Sequence, residues 1–168
     1  MKPYLLLVAI LYCYSSKANC LLKKVSIDQR TQNSQLIVNG EIKSQRSCWN
    51  FEKTSIYTVS TVEVLNYLKG DAPTTIEIVT PGGELDGKLI VVEPNAELKV
   101  GSRGFFFLKE NTTALNYTSR AKKFEIYSLA QGFIEQDLTT NSYRDPFDQY
   151  QNINTVASLI GKTTGVEY

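Results

Sequence analysis

The sequence predicts a mostly β domain, a small barrel or sandwich finished by one short amphipathic helix. Three observations predict it. β-branched and aromatic residues recur in short runs closed by Gly, Pro, Asn and Asp, as in "IYTVSTVEVLNYLKGD" at residues 56–71. Gly104-Phe105-Phe106-Phe107-Leu108 is a continuous apolar run, the mark of a strand buried on both faces. Only near the end does the period change: Ile153, Val156, Ala157 and Ile160 follow helical spacing. Many short strands between turn signals favour a barrel or sandwich over a parallel sheet.

In chain order, residues 21–30 read as a short lead-in. Residues 35–42 form the first strand, with Gly40 marking a bulge or close approach. Residues 47–51 read as a connection carrying Trp49 and Phe51. The long strand from Ile56 places apolar residues on both parities, as expected of a bent strand passing between environments. Lys69-Gly70-Asp71-Ala72-Pro73 stops it. Residues 75–80 follow as an antiparallel partner, closed by Pro81-Gly82-Gly83. Asp86-Gly87 is a hairpin signal before a strand over Leu89-Ile90-Val91-Val92. Residues 124–128 and 132–134 read as the last strands. The helix is expected to start at Asn152 and to stop at Gly161.

The first 18 residues stand apart. Lys2 precedes the apolar run Leu5–Tyr12, and Ser16-Lys17-Ala18 sets small residues at −3 and −1 of a cleavage site. That is the pattern of a secretory signal peptide, too short for a membrane span, with an apolar first strand of a cytoplasmic protein as the alternative. Residues 19–168 then form a single β-rich domain, exported to the periplasm, cell surface or exterior. Removing Lys2 and Lys17 leaves 16 basic against 17 acidic residues, a net charge of −1. A phosphate-backbone binder needs a clustered basic excess. Arg120, Lys122 and Lys123 are the nearest approach, and read as a solvated face, so nucleic acid is not expected.

Cys13 leaves with the signal, so Cys20 and Cys48 remain. In an exported chain they read as a possible disulfide, worth roughly 3–4 kcal/mol for a loop of about 29 residues. The alternatives are two unpaired thiols, with Cys48 buried beside Trp49, or a lipid anchor on Cys20. Lys17 and Asn19 suit a lipoprotein cut poorly, so an unmodified Asn19 start is expected.

The chain has no histidine. That removes the usual general base near neutral pH and the commonest metal ligand. Ser-His-Asp and Cys-His sites are therefore impossible within the chain. No phosphate-binding loop or nucleophile elbow occurs. Glu84 with Asp86, and Asp145 with Asp148, read as turn chemistry rather than calcium sites. The expectation is no enzyme, no cofactor and no metal. Asn111-Thr112-Thr113 and Asn116-Tyr117-Thr118 match the N-glycosylation sequon, which matters only where the transferase is met. Trp49, Phe51, Tyr57 and Tyr67 are the candidate binding face, with core packing as the plainer reading.

Several stretches together carry a resemblance: "IVNGEI", "CWN", "IYTVSTVEVLNYLKGD", "IVTPGGELDGK", "LKVGSRGFFFL", "QGFIEQDL", "DPFDQYQNI" and "TTGVEY". As an ordered set over residues 35–168 they resemble the N-terminal β-rich module of exported and cell-surface proteins of gliding-type Gram-negative bacteria. In those proteins metallopeptidase or surface β-domains often follow. The resemblance implies no catalytic residue. More distantly, the order from "VNGEI" to "GFFFL" is similar to netrin-like and metalloproteinase-inhibitor domains, which implies an OB-like barrel with a terminal helix. Inhibitors of that kind use an N-terminal cysteine on the protease zinc, and Cys20 is the matching position. Together these readings imply an exported, non-catalytic binding or spacer module acting on a protein or surface component. The alternative is an inhibitor-like or pro-domain-like partner of a metallopeptidase.

Overall fold

The structure, a computed structural model, describes residues 22–71 and 73–165. The expected signal peptide and Cys20 lie outside the described residues. β1 (Leu36–Trp49), β2 (Ile56–Lys69) and β3 (Thr75–Pro81) form an antiparallel meander. β4 (Gly83–Leu85) and β5 (Lys88–Ile90) make a separate two-stranded hairpin. β6 (Arg103–Glu110) pairs with the first half of β1, and β7 (Lys123–Ile126) joins β6 to β3, running parallel to β3. The pairings β1-β2-β3-β7-β6-β1 therefore close a five-stranded ring. This is the expected barrel, in an OB-like strand order. β8 (Phe133–Gln136), β9 (Tyr143–Arg144) and β10 (Gln149–Tyr150) continue from β6.

β6 explains the apolar run. Phe106 and Leu108 point into the barrel beside Val38, Val62 and Ile78. Phe105 and Phe107 point outward, under the two helices. All four are 0–1 % exposed, and full burial of a side chain this size stabilises by roughly 1.5–3 kcal/mol. Phe106 stacks on Phe133 with ring centroids 4.6 Å apart.

Gly40 is the expected close approach. The β1–β2 register slips between Asn39 and Gly40, and a Cβ there would lie 2.7 Å from Glu63 O and from Val62 Cγ1. That bulge lets β1 bend and pair with both β2 and β6. β2 meets three environments, which accounts for its two apolar parities. Val62 and Val64 face the barrel, Val59 an outer cluster, and Leu68 the helix layer.

Five local expectations need correction. The strand at 132–134 is not the last, since the two-residue β9 and β10 follow it. The lead-in contains a helix, α1 (Ile27–Asn33), opened by a capping box between Ser26 and Gln29. Its buried face includes Arg30 and Thr31 beside Ile27, so it carries little apolar periodicity. β1 runs through the expected connection to Trp49, because after a register slip at Lys43 residues 44–49 stay paired with β2. The strand over Leu89–Val92 ends at Ile90, leaving Val91 and Val92 exposed. α2 (Ile153–Thr164) starts at Asn152 as expected but passes Gly161, which is buried and helical; Gly165, at φ 74°, ends it.

The helix layer is pinned by a buried ion pair. Arg30 Nη2 lies 2.7 Å from Asp145 Oδ2, with both side chains 1 % exposed. Arg30 Nη1 donates to the Gln131 carbonyl, and the guanidinium sits 5.3 Å from the Phe107 ring centroid. Tyr150 donates to Asp145, and burial, then that carboxylate, pushes its hydroxyl far above the usual tyrosine range.

Candidate functional site

One end of the barrel gathers three of the four candidate aromatics. β1 and β2 meet there in the register Cys48↔Tyr57 and Trp49↔Ile56. The turn between them is held by Asn50, whose Oδ1 accepts from Thr54 N (2.8 Å) and Ser55 N (2.9 Å). Phe51 stands at its tip, 73 % exposed. Tyr67 lies ten residues from Tyr57, about 33 Å further along an extended strand, so it belongs to the far end of β2 beside exposed Leu65.

Trp49 anchors the β4–β5 hairpin. Its Nε1 donates to Asp86 Oδ2 at 2.9 Å, and Lys88 Nζ lies 5.4 Å from its ring centroid. The turn is Asp86-Gly87 as expected, both at positive φ (53° and 71°), the type I′ geometry. Gly83 fits this hairpin against the barrel, since a Cβ would fall 2.7 Å from Thr58 Oγ1 and 2.9 Å from Ser47 Oγ. The hairpin then presents Leu89 and Val91, 68 % and 70 % exposed, with Val92 beside them.

The edge chemistry of β5 follows from its register. Gly83↔Ile90 and Leu85↔Lys88 flank Glu84↔Leu89. A two-residue hairpin hydrogen-bonds the pair next to the turn, so the Leu89 N–H and C=O turn away from β4. The closeness of Ile90 O and Val92 N to Gly82 agrees with this alternation. β5 pairs with β4 on one side, and no strand among the described residues takes the other.

Under the β6–β7 loop, on the face of β1 and β2 opposite the β4–β5 hairpin, lies a closed outer cluster. Cys48, Val59 and Val79 are buried there under Tyr57, Leu115 and Tyr117. The loop is stitched to the β1–β2 turn by Phe51 N–H to Ala114 O and Asn116 N–H to Trp49 O. Tyr117 donates to Glu77 Oε1 at 2.7 Å, while Arg46 pairs with the same oxygen and covers the tyrosine ring at 3.7 Å. Glu77 Oε2 is buried without a hydrogen-bond partner. Cys48 is a free thiol whose pKa burial pushes up, so it is a poor nucleophile. Its expected partner Cys20 lies outside the described residues.

The remaining candidates serve the fold. Asp86 is taken by Trp49. Asp145 accepts from Phe147 N and Asp148 N and pairs with Arg30, while Asp148 pairs with Lys24. Among the described residues no three His, Cys, Asp or Glu side chains converge on a common point. Lys122 and Lys123 lie over Phe124 and Tyr117. Of the two sequons, Asn111 spends its amide on Glu125 and Thr113, whereas Asn116 is exposed. No helix among the described residues is long and apolar enough to cross a membrane. The bare edge of β5 went unnoticed in the sequence because edge and centre strands differ only in their neighbours. No protein-family model matches the chain, and comparison with curated proteins finds no match.

Proposed function

We propose that the chain is an exported, non-catalytic binding module of the cell surface that captures a partner protein by adding its strand to β5. The observation behind this reading is the conjunction of outward backbone groups on β5 with two strongly exposed apolar side chains, Leu89 on the strand and Val91 just past its end. An exposed apolar edge strand is a standing template for pairing, which soluble proteins normally blunt. Adding a strand gives affinity through main-chain bonds and specificity through alternate side chains. Glu84, across the ladder from Leu89, and Glu93, just beyond Val92, are exposed. The complementary strand is therefore extended, with alternating apolar residues and basic neighbours. Export rests on residues 1–18, and mass measurement of the secreted protein should give Asn19 as its first residue.

The test is an amide-exchange titration with a soluble peptide of alternating valine and lysine. Binding should protect the Leu89 and Val91 amides. Val91→Pro removes one outward donor in an extended segment, and should abolish the protection without lowering the melting temperature. Equal binding by the proline variant refutes strand addition at this edge.

A further inference from the structure

A second feature lies where the barrel seam parts. The parallel ladder between β3 and β7 ends at Val79↔Glu125. Beyond it β3 continues along β2 to Pro81, while β7 follows β6 to Ile126. The divergence leaves an open cleft of about 400 Å³, within the range of small-molecule sites. Tyr57 and Pro81 stand on one side, and the turn Tyr127-Ser128-Leu129 on the other.

The lining sorts by chemistry. Lys109 Nζ lies 2.8 Å from Glu125 Oε1, so the two charges neutralise each other within the wall. What remains is neutral: two tyrosines, a proline, the aliphatic Val79, Ile126 and exposed Leu129, and the hydroxyls and amides of Thr80, Asn95, Asn111, Thr113 and Ser128. Asn95 is oriented by its neighbours, with Nδ2 donating to Pro81 O at 3.1 Å and Oδ1 accepting from Ala96 N at 2.9 Å. Its second amide hydrogen stays free for a ligand. The Ser128 hydroxyl caps nothing, although the residue opens a short 3₁₀ turn, Leu129–Gly132.

The wall is also held in a costly conformation. Ser128 and Leu129 are consecutive non-glycine residues at φ 67° and 54°, a region that side chains rarely adopt. The turn is fixed by Gln131 N–H to Ser128 O and by Tyr127 N–H to Phe107 O. Gly132 packs directly on the Tyr127 carbonyl. Such strain survives where the surroundings over-determine it, and it gathers at ligand clamps. Here it turns the Leu129 side chain, 44 % exposed, outward beside the free hydroxyl.

We propose that this cleft binds a neutral saccharide, one or two pyranose rings long. A pyranose has an apolar C–H face and a rim of hydroxyls. The first fits an aromatic or proline surface, and the second fits neutral amides and hydroxyls that both donate and accept. An anionic ligand would find its one cation, Lys109, already paired. A purely apolar ligand would leave the amides and hydroxyls desolvated. The site shares no residue with the β5 edge and does not depend on strand addition.

The test is an NMR titration of the folded protein with neutral disaccharides built from glucose, galactose, mannose and N-acetylglucosamine, with digalacturonate as the charged control. At least one neutral disaccharide should bind below about 10 mM, shift the Ser128 and Leu129 amides, and outcompete the control. Tyr127→Ala should weaken binding about tenfold, the scale of one lost ring contact. Ser128→Gly keeps the left-handed backbone without strain, so it should fold as the wild type and still lose affinity. Val91→Pro should bind the saccharide normally, which separates this site from the docking edge. The proposal is overturned if no neutral disaccharide binds, if digalacturonate binds best, or if Ser128→Gly leaves affinity unchanged.

Discussion

Replacing Arg30 by methionine removes the charge and keeps much of the side-chain volume. Asp145 then remains almost wholly buried without its cation. Breaking a buried pair from one side costs about 3–5 kcal/mol, because the surviving charge is neither paired nor solvated. The Gln131 carbonyl also loses its donor. Against this, Arg30 Nε has no partner, and removing an unsatisfied donor returns about 1–3 kcal/mol. The expected loss is about 3 kcal/mol, roughly 10 °C in melting temperature for a domain of this size. Urea denaturation should show a lower midpoint with an unchanged slope. Arg30→Met combined with Asp145→Asn neutralises both partners, preserves the acceptor for Phe147 N and Asp148 N, and should recover at least half of the loss. A single variant that loses less than about 1 kcal/mol, or a double variant no more stable than the single, refutes the assignment of this pair as the pin of the helix layer.

Gly104→Ala places a Cβ on the Ile134 carbonyl and 2.9 Å from Phe133 Cε2; it should cost about 2–4 kcal/mol, and an unchanged denaturation midpoint would contradict that packing. The Thr139 hydroxyl, then its N–H, holds the Asp137 carboxyl down to about 2. Since the folded value is depressed, this contribution is complete above the ordinary aspartate range and disappears as pH falls through about 2. An NMR titration should find that low midpoint and see Thr139→Val raise it; no response to the substitution refutes the cause. Cys48 should react with a thiol reagent at least about tenfold more slowly folded than unfolded, and alkylation after unfolding without reduction should label it. A chain that takes no label carries a Cys20–Cys48 bridge instead.

Strand-forming segments were legible wherever burial repeats with the local period. Gly104–Leu108 announced a doubly covered strand, and the structure supplies barrel on one side and helices on the other. Asp86-Gly87 fixed a hairpin because both positions need positive φ. α1 was missed because two of its three buried residues, Arg30 and Thr31, are polar, and hydrophobic periodicity cannot register a polar face. The capping pair Ser26 and Gln29 was the available signal. Of the candidate aromatics, only their order was readable. That Trp49 grips Asp86, that Phe51 projects from a turn and that Tyr67 lies far away depend on strand register.

By itself the sequence determined the β class, the breaks at Gly70 and at Asp86-Gly87 and the helix start at Asn152, because these follow from each residue's own backbone preferences and from local period. The tertiary structure decided that β6 closes on β1, that β5 keeps a bare edge and that β3 and β7 part to form a cleft. It also decided that Arg30 meets Asp145 across 115 residues. Closure, edges and clefts are relations between segments distant in sequence. They are set by which surfaces remain after the core is buried, a sum over the whole chain that no local stretch encodes.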